Sequence, residues 1–98
     1  MTRQTTKDII RILTKLKPEL EQRFGVIKIG FFGSFARNEP DEKSDVDILV
    51  ELKQPLGWEF FDLLELLERH LQKPVDLTTE AGLKKQLKEH ILKEVRFV

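Results

Sequence analysis

Residues 26–52 read VIKIGFFGSFARNEPDEKSDVDILVEL and contain two apolar runs separated by a polar loop. The first run, Val26 to Phe32, is rich in β-branched and aromatic residues, which is typical of a buried strand, and Gly33-Ser34 ends it. Residues 38–44 contain a proline and predict a loop, and Asp45 to Leu52 predicts a second strand. The stretch therefore predicts two strands joined by a loop that begins with glycine and serine.

The segment before these strands predicts helical structure. Thr6 to Leu16 places its apolar residues on one stripe, as an amphipathic helix does. Pro18 is expected to end or kink this helix and to open a second short one, since proline suits a first helical position. Gly25 is the expected stop.

Helices and strands alternate after residue 52. Trp58 to Leu71 predicts a strong amphipathic helix, and Val75 to Thr78 predicts a short third strand. A last helix is expected to start at Thr79 or Glu80, and its apolar stripe would be Leu83, Leu87, Ile91 and Val95. The expected fold class is α/β (α+β), with a small mixed sheet flanked by helices.

Composition excludes several classes of protein. A chain of 98 residues is expected to form one domain, spanning 1–98. Apolar residues make up 40%, too many for a disordered tail, and no apolar run approaches the roughly 20 residues of a membrane span. There is no cysteine for a disulfide or a thiolate metal site, and the first residues lack the apolar region of a signal peptide. The cytoplasm is the expected location.

The charges balance, with 17 Lys and Arg against 17 Asp and Glu. No overall positive field draws the chain to nucleic acid or to a membrane, so direct nucleic-acid binding is not expected. Trp58 and Phe61 are expected to pack in the core or at the start of their helix. His70 and His90 are expected to be surface residues.

Asp45 and Asp47 are candidate metal ligands. Residues two apart on a strand point to the same face, so these carboxylates project together while Val46, Ile48 and Val50 fill the other face. Paired carboxylates repel unless a cation lies between them, and Mg²⁺ prefers such oxygen ligands. An isolated Asp-x-Asp is more often a solvated loop end. Asp76 lies between Val75 and Leu77 and either shares this site or faces water at a strand edge.

Gly33-Ser34 is a candidate anion site. It follows a strand directly and precedes Phe35-Ala36-Arg37, which can form a helical turn. Glycine lets a ligand approach the backbone closely, and the backbone N–H groups, the Ser34 hydroxyl and the Arg37 charge suit phosphate. The same two residues equally describe an ordinary turn.

The combined pattern is specific. Gly33-Ser34, ten intervening residues and Asp45-Val46-Asp47 resemble the Gly-Ser-x10-Asp-x-Asp signature of the polymerase β-like nucleotidyltransferase superfamily. The strings Phe32 to Arg37 and Ser44 to Val50 are similar to its minimal members, the MNT proteins, and so is the ending Ile91 to Val98. Asp76 falls where that family places a third carboxylate. Asn38 replaces the glycine that many relatives carry.

The resemblance implies the nucleotidyltransferase fold and roles for individual residues. Asp45, Asp47 and Asp76 would be the catalytic carboxylates and would bind Mg²⁺, and Asp76 would also help to deprotonate the acceptor. The residues expected to bind ATP are Gly33, Ser34, Arg37 and Ser44. The reaction implied is transfer of AMP from ATP to a hydroxyl.

The resemblance also implies a partner. The chain has no residues left for the helical wall that closes the site of larger relatives, and stand-alone minimal members are paired with HEPN-domain toxins. The chain is therefore expected to be an antitoxin that transfers AMP to a tyrosine of that toxin. The alternative is an antitoxin that neutralises its partner by binding alone. A transferase for a small molecule or a nucleic-acid end is a weaker third interpretation.

Overall fold

The computed structural model describes residues 5–37, 39 and 45–98. Its elements in chain order are α1 (Thr6–Phe24), β1 (Val26–Phe32), β2 (Val46–Leu52), α2 (Glu59–Leu71), β3 (Val75–Thr79), a 3₁₀ turn (Glu80–Gly82), α3 (Lys85–Glu94) and β4 (Arg96–Phe97). Within these described residues, no helix is both long and apolar enough to span a membrane.

The four strands form one mixed sheet in the order β3-β2-β1-β4. β1 pairs antiparallel with both β2 and β4, whereas β2 and β3 are parallel. Parallel strands need a crossover connection, and α2 supplies it between β2 and β3. The predicted mixed sheet flanked by helices is confirmed.

The hydrophobic core lies between one face of the sheet and the helices α1 and α2. Every second residue of β2 enters it, because side chains alternate along a strand. Its buried members include Ile9, Leu13, Leu16, Leu20 and Phe24 of α1, Val46, Ile48 and Val50 of β2, and Leu63, Leu66, Leu67 and Leu71 of α2.

The expected break at Pro18 does not occur, because α1 is one continuous helix through that residue. Proline removes the hydrogen bond to the carbonyl of Thr14, but both residues are exposed, so water can satisfy that carbonyl. The buried stripe continues past Pro18, and its packing outweighs the local cost. Gly25, at a φ of 69°, ends the helix as predicted.

The last helix begins at Lys85, so the predicted start at Thr79 or Glu80 is wrong. β3 continues to Thr79, whose side-chain oxygen accepts a hydrogen bond from the Gly82 N–H and closes the 3₁₀ turn. An extended Leu83 then separates this turn from α3.

The predicted apolar stripe of that helix is also largely wrong. Ile91 is its only buried member in α3, since Leu87 is 50% exposed and Leu83 and Val95 lie outside the helix. Val95 instead leads into β4, a strand of two residues that periodicity could not reveal.

Trp58 and Phe61 pack at the start of α2, the second of the two predicted places, and not in the core. Their side chains are 84% and 59% exposed, and their rings contact each other with centroids 6.1 Å apart. The leucines of α2 fill the available core surface, and Trp58 precedes the helix as its N-cap. His70 and His90 are exposed, as predicted.

Candidate active site

Three aspartates lie near the end of the sheet where β2 and β3 begin. Asp47 and Asp76 occupy the same register position on these parallel strands, and Asp45 comes directly before β2. Asp47 is partly buried, whereas Asp45 and Asp76 are exposed. The neighbours Val46 and Ile48 are fully buried on the core side, which directs Asp47 to the opposite face. Asp76 lies on an edge strand of the sheet.

Gly33 lies directly against the Asp47 carboxylate. The register of β1 and β2 pairs Phe32 with Asp47, so the chain leaves β1 beside this side chain. A Cβ atom built on Gly33 would lie 2.1 Å from Asp47 Oδ2, and the φ of this glycine is +75°. The backbone conformation therefore favours glycine, and any side chain at this position would force the Asp47 carboxylate or the turn to move. A glycine here lets the turn after β1 and the carboxylate share one site.

The turn from Gly33 to Arg37 is a single helical turn, as predicted. The Arg37 N–H donates to the Gly33 carbonyl at 3.1 Å, and the Glu39 N–H donates to the Ser34 carbonyl at 2.8 Å. Phe35 is fully buried, and its carbonyl accepts a 2.8 Å hydrogen bond from the Thr6 hydroxyl. The core therefore anchors the turn, while Ser34 remains partly exposed.

Arg37 connects this turn to the last residue of α3. Its guanidinium forms an ion pair with the Glu94 carboxylate, and its Nε lies 3.9 Å from Glu39 Oε2. Sequence reasoning missed Glu94, because 57 residues separate the two partners. The one available signal was the position of Glu94 within the ending Ile91 to Val98.

The electrostatics mark Asp47 as the centre of this cluster. Burial raises its pKa to about 6, and the negative charges of Asp76, Asp45 and Glu94 act in the same direction. Arg37 lowers the pKa of this carboxyl, but by the smallest of these effects. The cluster thus carries negative charge that the nearby cation does not balance.

This donor set fits a magnesium ion shared with a substrate. Within residues 5–37, 39 and 45–98, no three His, Cys, Asp or Glu side chains already converge closely enough to enclose a metal ion. Mg²⁺ is usually held by one or two carboxylates together with substrate phosphates, so a fully enclosed protein site is not required. The aspartates could supply the carboxylates, and the Gly33–Arg37 turn beside them offers backbone N–H groups for the phosphates.

A separate cleft of about 520 Å³ lies away from these carboxylates, and Leu52, Pro55, Leu56 and Phe60 are among its lining residues. It is at the opposite ends of β2 and β3, so none of the three aspartates lines it. The candidate active site is therefore not part of this cleft.

The structure thus brings together Gly33, Ser34, Arg37, Asp45, Asp47 and Asp76, and it adds Glu94. Ser44 and Asn38 lie outside the described residues. The role of Ser44 in ATP binding therefore stays a prediction, as do the roles of the other site residues.

Comparison with known proteins identifies the family. The family model of the nucleotidyltransferase domain matches residues 13–98. The chain belongs to the nucleotidyltransferase family. The sequence-based predictions of family, fold and enzyme class are confirmed.

Individual relatives of this nucleotidyltransferase agree. The protein adenylyltransferase MntA of Thermococcus cleftensis is 44% identical over 99 residues and covers 100% of both chains. A solved structure assigned as a minimal nucleotidyltransferase superposes with a TM-score of 0.81 at 30% identity and covers 98% of both chains. A complex of the tri-AMPylated HEPN toxin of Shewanella oneidensis with an MNT antitoxin matches with a TM-score of 0.61. This last match covers 94% of the present chain and 67% of the other at 22% identity, which shows a shared fold.

Proposed function

We propose that this nucleotidyltransferase is an antitoxin that transfers AMP from ATP to a tyrosine hydroxyl of a HEPN toxin, with Mg²⁺ as cofactor. The observation that carries the proposal is the contact between Gly33 and Asp47, where any side chain at residue 33 would overlap the carboxylate. This contact unites a phosphate-binding turn with a metal-binding carboxylate. The similarity to a protein adenylyltransferase over the full chain supports AMP as the group transferred and protein as the acceptor.

The turn after β1 binds the triphosphate in this proposal. Gly33 allows the phosphates to approach its backbone, and the partly exposed Ser34 hydroxyl donates to a phosphate oxygen. Arg37 adds a positive charge at the end of the same turn. Ser44 is proposed as a further contact to ATP.

Asp45 and Asp47 hold the metal, and Asp76 completes the site from the neighbouring strand. The bound ion would neutralise negative charge on the triphosphate. At pH 7 most Asp47 side chains are ionised despite the raised pKa of about 6, so they can act as ligands. The core side of β2 fixes this carboxylate in place, because Val46 and Ile48 are fully buried.

In this proposal Asp76, which is exposed, takes the proton of the acceptor hydroxyl. The acceptor oxygen then forms a bond to the α-phosphorus, and the bond from that phosphorus to the bridging oxygen of the β-phosphate breaks. Pyrophosphate leaves with the electron pair of the broken bond, and the acceptor carries AMP. Positioning and charge neutralisation supply most of the catalysis in such transfers.

The partner completes the active site in this proposal. Asp45 and Asp76 are exposed, and a HEPN toxin would cover them while presenting its tyrosine. The solved complex of an AMPylated HEPN toxin with an MNT antitoxin, which shares this fold, supports a protein as the partner at this site. Action of residues 1–98 as one domain in the cytoplasm, where ATP is available, belongs to the same proposal.

Intact mass measurement tests the proposal. The toxin cognate to this chain is incubated with ATP, Mg²⁺ and substoichiometric antitoxin, and the antitoxin is then removed. We expect the toxin to gain one AMP per modified tyrosine and to stay inactive. Asp76→Ala should still bind the toxin without modifying it, whereas the control Asp62→Asn on the exposed side of α2 should behave as the natural chain.

Full return of toxin activity on removal, without added mass, would contradict the enzyme proposal. That outcome would favour an antitoxin that acts by binding alone, which needs one chain per inhibited toxin site and no ATP.

A further inference from the structure

Glu94 is a fourth acidic residue at the active site, and the proposed reaction does not use it. Its side chain is only 20% exposed and forms an ion pair with Arg37. It is also close enough to Asp47 to raise the pKa of that carboxyl. A carboxylate at this position is electrostatically unfavourable, because it adds negative charge beside three aspartates. We therefore ask what its interaction with Arg37 contributes to the site.

The segment that carries Glu94 is held firmly to the sheet. Gly30 of β1 contacts it so closely that a Cβ atom there would lie 2.8 Å from the Arg96 carbonyl oxygen and 2.9 Å from the Phe97 ring. The Val98 N–H donates to the Ile29 carbonyl at 3.0 Å, and Lys17 Nζ donates to the Val98 carbonyl at 2.8 Å. Glu94 therefore holds Arg37 from a fixed position.

Arg37 has competing partners. Its side chain is 52% exposed, pairs with Glu94 and has its Nε 3.9 Å from Glu39 Oε2, and it is near enough to Asp47 to lower the pKa of that carboxyl. Guanidinium and carboxylate form strong paired hydrogen bonds, so an unrestrained Arg37 would be drawn to Asp47, the partly buried carboxylate. A guanidinium there would occupy the carboxylate oxygens that a cation requires.

We propose that Glu94 is a positioning residue that acts through Arg37, holding the guanidinium beside the Gly33–Arg37 turn and away from Asp47. The inference rests on the proposed function, because it assigns Arg37 to the triphosphate and Asp47 to the metal. Glu94 thus keeps the carboxylates open for the cation and keeps Arg37 ready for the phosphates.

A double-mutant cycle in ATP binding tests this role. Calorimetry measures the affinity for ATP across a range of Mg²⁺ concentrations for the natural chain, Glu94→Gln, Arg37→Gln and the double variant. We expect Glu94→Gln to weaken Mg²⁺-dependent ATP binding about tenfold, within the range of coupling between contacting residues, and to shift the Mg²⁺ requirement upward. In the Arg37→Gln background the same change should cost less than about threefold.

The matched control is Glu89→Gln, which removes the same charge from an exposed residue of the same helix. This variant should bind ATP as the natural chain does. Thermal unfolding of all variants separates a loss of structure from a loss of binding. If Glu94→Gln is unfolded at the working temperature, Glu94→Asp enters the same cycle, because it keeps the charge but withdraws the carboxylate from Arg37.

Three results would overturn the inference. Equal weakening by Glu94→Gln in both Arg37 backgrounds would mean that Glu94 acts directly, for example as a metal ligand. An effect no larger than that of Glu89→Gln would mean that Glu94 has no special role. Absence of Mg²⁺-dependent ATP binding in the natural chain would overturn both this inference and the proposed function. If the natural chain binds ATP but the affinity losses of Glu94→Gln and Arg37→Gln simply add in the double variant, this inference alone is overturned.

Discussion

The side chains of β2 alternate between two faces of different character, one apolar throughout and one that carries an acidic residue near each end. Val46, Ile48 and Val50 on one face are fully buried against the helices. The other face carries Asp47 near the start of the strand, the fully buried Leu49 in its middle and the partly buried Glu51 near its end. The acidic site is thus confined to one end of one face. An unfavourable group of carboxylates is tolerated there because the core residues beside it hold the strand.

Asp47→Asn should produce the largest functional effect, on the polar face alone. The amide keeps the shape of the side chain but weakens its hold on a cation, and metal assistance is worth several kcal/mol, so we expect about a thousandfold loss of AMP transfer. The fold should remain intact and become slightly more stable without metal, because repulsion from Asp76 and Asp45 is relieved. The initial rate of AMP incorporation and the thermal unfolding midpoint measure the two effects, and ordinary transferase activity would refute the role of Asp47.

Ile48→Ala is the matching change on the core face, one residue away. It leaves a cavity beneath the sheet, and such substitutions cost about 2–5 kcal/mol of unfolding free energy. Urea unfolding measures the loss, and the transfer rate per folded molecule should stay within about threefold of the natural value, since a core side chain does not touch the reacting groups. A cost below about 1 kcal/mol would show that this face of β2 does not hold the strand.

Gly33→Ala should affect both stability and the site, because Gly33 joins the two. The new Cβ would lie 2.1 Å from Asp47 Oδ2 at a φ of +75°, so either the turn or the carboxylate must move. We expect a loss of about 1–3 kcal/mol of stability and of Mg²⁺-dependent ATP binding, as for other strained backbone positions.

Gly57→Ala is the control for that glycine. Its Cβ would meet its nearest atom, Glu59 Oε2, at an ordinary 3.6 Å. Calorimetry with ATP and urea unfolding should find little change for this variant. Equal stability and equal ATP affinity of the two glycine variants would show that the contact between Gly33 and Asp47 is not important, and the proposed function would lose its main support.

Sequence predicted best the elements whose pattern is decided locally. β1 was predicted to the residue, and β2 and α2 to within one residue, because each has a clear period bounded by glycine, proline or polar residues. Asp45 and Asp47 could be recognised for the same reason, since residues two apart in an extended segment share a face, although Asp45 lies just before β2.

The errors arose where distant contacts decide the structure. Pro18 is accommodated because the core side of α1 stays packed on the sheet. Glu94 pairs with Arg37 from the end of α3, and β4, the two-residue strand that follows, packs closely against Gly30. No local pattern contains these contacts.

The smallest expected effect is a pH dependence of the free energy of unfolding, which comes from Asp47 on the polar face of β2. Asp47 has a pKa of about 6 in the folded chain against 3.8 as the reference value, so between these values the folded state binds more protons than the unfolded state. Stability from this group is therefore fully present below about pH 4 and is lost as the pH rises through about 6. Asp47→Asn has no such proton, so its stability relative to the natural chain should increase over this interval. The carboxyl is only partly buried, and solvent screening reduces the effect to the order of 1 kcal/mol.

Urea unfolding of the natural chain and of Asp47→Asn in EDTA, at pH 4, 5, 6 and 7, measures the difference directly. A constant difference across this range would mean that the folded site does not disfavour the ionised Asp47, and the unbalanced negative charge inferred there would be wrong.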